Sequence, residues 1–138
     1  MNRLVVTFVA IFAVVFSFGI PSYADTSYGN TWFATEDGKW DKTIATTTTD
    51  TNVRITLGDL WRVNKSTGER IYYASDFLPL DGRLCSASTG NCTSYKSFND
   101  PTFGYIPFTN MKPGTYYLDV IDYETGYTYE GYVSALVY

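Results

Sequence analysis

After Tyr28 the chain repeats apolar side chains at every second position, with turn-forming residues between the repeats and no sustained helical spacing. In TNVRITLGDLWRV, Val53, Ile55 and Leu57 fall on one face and Arg54 and Thr56 on the other, which predicts a half-buried strand. Gly58-Asp59 predicts a bend or bulge before Trp61 and Val63 resume the alternation. NKSTGE then turns the chain into RIYYAS, where Ile71 and Tyr73 alternate with Tyr72 and Ala74. Near the start, GNTWFAT and WDKTIATTTT flank Asp37-Gly38, the dipeptide of a tight hairpin, so these two runs are expected to pair. In GYTYEGYVSALVY, Tyr127, Tyr129, Val133, Ala135 and Val137 share a side, with Gly131 read as a bulge.

The stretch GYIPFTNMKPGTYYLDV carries the strongest corner signal. Ile106 and Phe108 point one way before the corner; Tyr116, Leu118 and Val120 do so after it, with Tyr117 and Asp119 on the opposite face. The other register would bury the Asp119 carboxylate unpaired, at roughly several kcal/mol. Pro113 fixes φ and Gly114 relieves the steric limit of a tight turn, while Met111 is placed to cap the core. Seven or so short strands with polar connections predict an all-β fold, a single antiparallel β-sandwich with a small barrel as the alternative.

The positions Gly104, Ile106, Phe108, Asn110, Met111, Pro113, Gly114, Tyr116, Leu118 and Val120 resemble the corner of Cna-B-type and carboxypeptidase-regulatory-like modules. These are prealbumin-like, Ig-like β-sandwiches of bacterial surface adhesins and secreted enzymes. The resemblance implies a structural or binding unit without catalysis, in which Met111, Pro113, Gly114 and Tyr116 build scaffold. Many Cna-B modules close a Lys-to-Asn isopeptide near the last strand; TYEGYVSALVY holds no Asn, so that bond is not carried over.

Composition adds a compartment. Residues 1–24 combine Arg3, an uncharged run from Leu4 to Ile20, Pro21 and the small residues Ser22 and Ala24, the pattern of a cleaved secretory leader. An uncleaved anchor is the alternative. Cleavage after Ala24 leaves a single domain over residues 25–138, expected to be secreted, monomeric and free of the membrane, in a manner resembling bacterial export. The full chain has fourteen acidic and ten basic residues and a formal charge of −4. Without a basic stripe it is a poor partner for nucleic acid or anionic lipid. Cys85 and Cys92, the only cysteines, lie in RLCSASTGNCT and in an exported chain predict a disulfide-closed hairpin. A redox dithiol or zinc pair is the alternative; the first wants closer spacing and the second four ligands.

The chain has no His, which removes Ser-His-Asp and Cys-His nucleophile systems. Asp76, Asp81, Asp119 and Glu130 could in principle serve a two-carboxylate hydrolase, and Asp76, Asp81 and Asp100 a loop calcium site, but no spacing sets them apart. No cofactor and no metal is therefore expected. Thirteen Tyr and three Trp exceed what one small core can bury, so ligand contact, with an extracellular protein or a glycan, is expected from exposed aromatics. Tyr95 and Tyr105, flanking FNDPTFG, are the first candidates and Trp32 and Trp40 the second; Phe98 and Phe103 are read as staples of that connection. Asn64-Lys65-Ser66 and Asn91-Cys92-Thr93 are glycosylation sequons by letter. The functional expectation is a non-enzymatic extracellular binding or structural module, with a secreted inhibitor, an antimicrobial effector or a small hydrolase as rivals.

Overall fold

A computed structural model describes residues 24–99 and 104–138. Most of the expected leader, together with Asp100 and Phe103, lies outside the described residues. Among those described, the fold is all-β: β1 (Thr26–Ala34), β2 (Lys42–Thr46), β3 (Val53–Asn64), β4 (Arg70–Tyr72), β5 (Leu80–Ser86), β6 (Lys96–Ser97), β7 (Tyr105–Phe108), β8 (Gly114–Asp122) and β9 (Tyr127–Val137). The strands number nine against the expected seven or so; β4 falls in RIYYAS as expected, whereas β6 spans two residues, too few to print an alternation in the sequence.

The strands form two antiparallel sheets. One runs β1-β9-β3-β4, with β7 pairing β3 beside β4; the other runs β2-β8-β5-β6. Their inner faces build a sandwich core in which Ile44, Val53, Ile55, Leu80, Leu84, Phe98, Ile106, Leu118, Tyr129 and Val133 are fully buried. Each of these side chains contributes roughly 1.5–3 kcal/mol by leaving water. The β8 register is the expected one, with Tyr116, Leu118 and Val120 inward. Phe98, in the turn after β6, is fully buried in the core and so ties that connection to the sandwich as expected.

Two local expectations are corrected. β1 and β2 do not form a hairpin: β1 pairs β9 in one sheet and β2 pairs β8 in the other. The turn between them places positive φ at Glu36 and Gly38, with Asp37 outside that region, and carries the chain across the sandwich. Gly131 is not a bulge. The extra residue lies opposite it, in β3, where the register shifts between Gly58 and Trp61 and Asp59 takes φ 48°. Gly131 is glycine because a Cβ there would sit 2.9 Å from the Gly58 carbonyl oxygen and 3.0 Å from that of Asp59.

The corner joins the two sheets. Residues 109–113 carry the chain from β7 in one sheet to β8 in the other, and Gly114 has φ 154°, a region β-branched residues avoid. The Tyr116 hydroxyl donates to the Lys112 carbonyl at 2.9 Å, and Thr46 Oγ1 donates to the same carbonyl at 2.7 Å. Met111 packs against the core as expected. Cys85 and Cys92 are disulfide-bonded, and Ser86 N–H to Asn91 O at 2.8 Å and Thr93 N–H to Leu84 O at 2.9 Å complete the hairpin.

The outer edges of β1 and β2 are tied to each other. The Ala45 N–H donates to the Tyr28 hydroxyl at 3.0 Å, and the buried Lys42 ammonium donates to the Gly29 carbonyl at 2.5 Å and Thr31 Oγ1 at 2.6 Å. Two edge strands that would otherwise offer free backbone groups are thereby partly satisfied.

Candidate functional site

The outer face of the β1-β9-β3-β4 sheet carries a cluster of four aromatics: Trp32 from β1, Tyr132 from β9, Trp61 from β3 and Tyr72 from β4. Two bulges put the indoles there. In β1 the register shifts between Tyr28 and Thr31, so both of those face inward and Trp32 aligns with the outward Tyr132. In β3 the shift between Gly58 and Trp61 sends Leu60 into the core and aligns Trp61 with the outward Glu130. Unbroken alternation from Val53, Ile55 and Leu57 would have aimed Trp61 inward; the expected resumption of the strand holds, with its phase reversed.

Within the cluster, Trp32 meets Tyr132 edge-on with ring centroids 5.1 Å apart, and Trp61 meets Tyr72 edge-on at 5.4 Å. Arg70, from β4, crosses between them: its guanidinium carbon lies 4.9 Å from the Trp61 centroid and 5.8 Å from that of Trp32, and it is ion-paired with Glu130. Trp32 is 43 %, Tyr132 39 % and Tyr72 53 % exposed, so the rings face water although they touch one another. Ala34 lies across from Glu130 and Thr128 across from Val63, short outward residues on the same face of the sheet.

The other candidates are dispersed. Trp40 and Tyr95 lie on the outside of the opposite sheet. There Trp40 stacks on Tyr117 at 5.4 Å, while the Tyr95 hydroxyl donates to Asp119 at 3.0 Å under the Arg83 guanidinium, 4.5 Å from its ring. Arg83 also pairs with Asp119 at 2.8 Å. Tyr105 lies on the outer face of the first sheet but at its other end, with Arg54 5.1 Å over its ring and 5.7 Å from the Tyr138 centroid. Tyr95 and Tyr105 therefore do not flank one site, and Trp32 and Trp40 face opposite directions. Sequence reasoning placed Trp61, Tyr72, Tyr132 and Arg70 in no site, because their outward convergence depends on bulges and on cross-strand register.

The acidic candidates are likewise apart. Glu130 belongs to the aromatic face, Asp119 and Asp81 lie outside the second sheet, and Asp76 lines a cleft of about 400 Å³ beside β4. Among the described residues no group of His, Cys, Asp or Glu is placed to hold a metal ion. A second cleft of about 490 Å³ lies between the Glu36–Trp40 turn and β8. Beneath it Asp41, 7 % exposed, accepts the Val120 N–H at 2.7 Å; burial, and then the nearby Asp37 and Asp119 carboxylates, push its pKa up to about 7. Burial also raises the Asp122 carboxyl, which Thr35 Oγ1 bonds.

No protein-family model matches the chain, and no curated protein matches it.

Proposed function

We propose that the protein is a small secreted, non-enzymatic binding module whose ligand lies on the aromatic face formed by Trp32, Tyr132, Trp61 and Tyr72. The observation that carries this reading is the double re-aiming of the indoles. Two separate bulges, in β1 and β3, each turn a Trp away from the core onto the same exposed patch. Large aromatics left in water forgo the burial that stabilises a small sandwich, and recognition surfaces use such residues. The disulfide suits an oxidising compartment, and among the described residues no helix is long and apolar enough to cross a membrane. A glycan and surface-protein array tests the reading. Wild type should give specific hits that Trp32→Ala abolishes while its melting curve stays close to wild type. Hits indifferent to every substitution on this face would refute it.

A second reading, a carboxylate hydrolase, is favoured by one observation. Asp41, just before β2, and Asp119, in β8, lie near each other in unlike environments, one buried with its pKa raised to about 7, the other paired with Arg83. A pH–rate profile on polysaccharides that was flat at background in wild type and Asp119→Asn alike would dismiss it.

A further inference from the structure

We infer that the ligand of the Trp32–Trp61 face is an uncharged, extended polysaccharide lying across the strands, an inference that rests on the binding reading above. Three features select this chemistry. The exposed apolar surface is aromatic, and a flat ring complements the C–H face of a sugar whose hydroxyls project around its rim. At the centre Arg70 and Glu130 neutralise each other while both remain partly exposed, at 47 % and 20 % of their side chains. A charged ligand would have to break that pair, whereas a sugar hydroxyl can accept from the guanidinium and donate to the carboxylate at once. The chain's formal charge of −4 further disfavours an acidic polymer.

Geometry sets the ligand's extent. The aromatics occupy four adjacent strands, β1, β9, β3 and β4, so the face spans three inter-strand steps, about 14 Å. That is the reach of a short run of sugar rings, not of one. The strands present the rings on an open pleated surface bordered by Ala34 and Thr128, so a long chain can pass over without threading a loop. A protein partner would instead be expected to seat an anchor in a pocket.

Affinity electrophoresis and pull-down test the inference, using cellulose, chitin, xylan and a soluble mixed-linkage β-glucan as neutral probes. Polygalacturonate and heparin serve as anionic ones. Wild type should be retained by at least one neutral polymer, equally at low salt and at about 1 M salt, where screening leaves only ~3 Å of electrostatic reach. Tryptophan emission should shift on binding, and affinity should rise with oligosaccharide length until the face is spanned. Trp32→Ala and Trp61→Ala should each weaken binding about tenfold or more. Trp32→Phe and Trp61→Phe serve where an Ala variant does not fold. Arg70→Gln, which keeps donors without charge, should bind better than Arg70→Ala. Tyr123→Ala, exposed elsewhere, should bind as wild type. Retention by no neutral polymer, retention only by anionic polymers with loss at high salt, or normal binding by both Trp variants would each overturn the inference. A protein ligand found on the array and lost on Trp32→Ala, with no glycan retained, would sink the ligand class and leave the binding reading standing.

Discussion

Replacing Gly131 by Ala perturbs the centre of the larger sheet without straining the backbone, because Gly131 is not among the residues with positive φ. Its effect is steric. The new Cβ would lie 2.9 Å from the Gly58 carbonyl oxygen, 3.0 Å from the Asp59 carbonyl oxygen and 3.0 Å from Leu60 Cδ2. Two of those three atoms are backbone, so relief requires β3 to retreat from β9 or its bulge to relax. Overpacking of this kind costs about 1–3 kcal/mol, and the immovable partners place Gly131→Ala toward the upper end. The substitution also narrows the unfolded ensemble, which returns at most ~1 kcal/mol. The net loss, about 2 kcal/mol, corresponds to a fall in midpoint on the order of 10 °C for a domain of this size. Gly58→Ala is the internal comparison: it lies across the bulge, its φ is ordinary and its Cβ meets nothing within 4 Å, so its midpoint should match or slightly exceed wild type. Thermal melts with the disulfide intact, repeated in urea, read both. A Gly131→Ala midpoint within about 2 °C of wild type would refute the bulge-against-glycine packing and the outward phase of Trp61 with it.

Gly114→Val should lower stability by about 1–3 kcal/mol through its φ of 154°, whereas Lys112→Ala, which keeps the carbonyl accepting from Thr46 and Tyr116, should be nearly silent; equal midpoints would refute the corner assignment. Converting Cys85 and Cys92 together to Ser should cost about 2.5 kcal/mol on the loop-entropy model, and intact wild type should take up no alkylating reagent without reductant. Asp41 retains its proton in the folded state up to about pH 7 but releases it near 3.8 when unfolded, so the folded state binds more protons between those values. Stability should therefore fall as pH rises from 4 to 7, by an amount on the order of 2–4 kcal/mol, and Asp41→Asn should flatten that slope in urea titrations. The same curve in both proteins would place the titration elsewhere.

Alternation carried most of the fold in the sequence. Val53, Ile55 and Leu57 in β3 and Tyr116, Leu118 and Val120 in β8 face inward as their period-two spacing predicts, because a sheet with one wet side enforces that pattern. The Cys85–Cys92 hairpin was legible for a similar reason, as a local reversal built from local residues, and so was the corner between β7 and β8. No tight turn forms at Pro113-Gly114, however: Gly114 opens β8 at φ 154° and Asn110, at φ 54°, takes the left-handed conformation. What failed was partner choice. Asp37-Gly38 looks like a hairpin in any window of ten residues, yet β1 pairs with β9, nearly a hundred residues away in sequence, and no local pattern encodes that. The aromatic face was half legible. Trp32 was recognisable as a surplus aromatic, but Trp61 appeared as one more strand residue, because a bulge reverses phase without changing composition.

The aromatic face could be read as sheet stabilisation alone, since cross-strand aromatic pairs and an Arg lying over indoles each contribute to a pleated surface. The way the β1 bulge is held argues for more. Its carbonyl at Gly29 is satisfied by the Lys42 ammonium, a group from the opposite sheet that is 8 % exposed and whose pKa burial lowers. Keeping an amine in so dry a place opposes folding unless the bonds to Gly29 and Thr31 compensate for lost hydration. Without the bulge Lys42 would have no such role, and the phase of β1 would place Trp32 at the core. A regular β1 with a small inward side chain at position 32 would make the same sheet without a buried cation. The fold instead maintains the more demanding arrangement, and its consequence beyond β1 is that Trp32 stands beside Tyr132, Arg70 and Trp61 on the outer face.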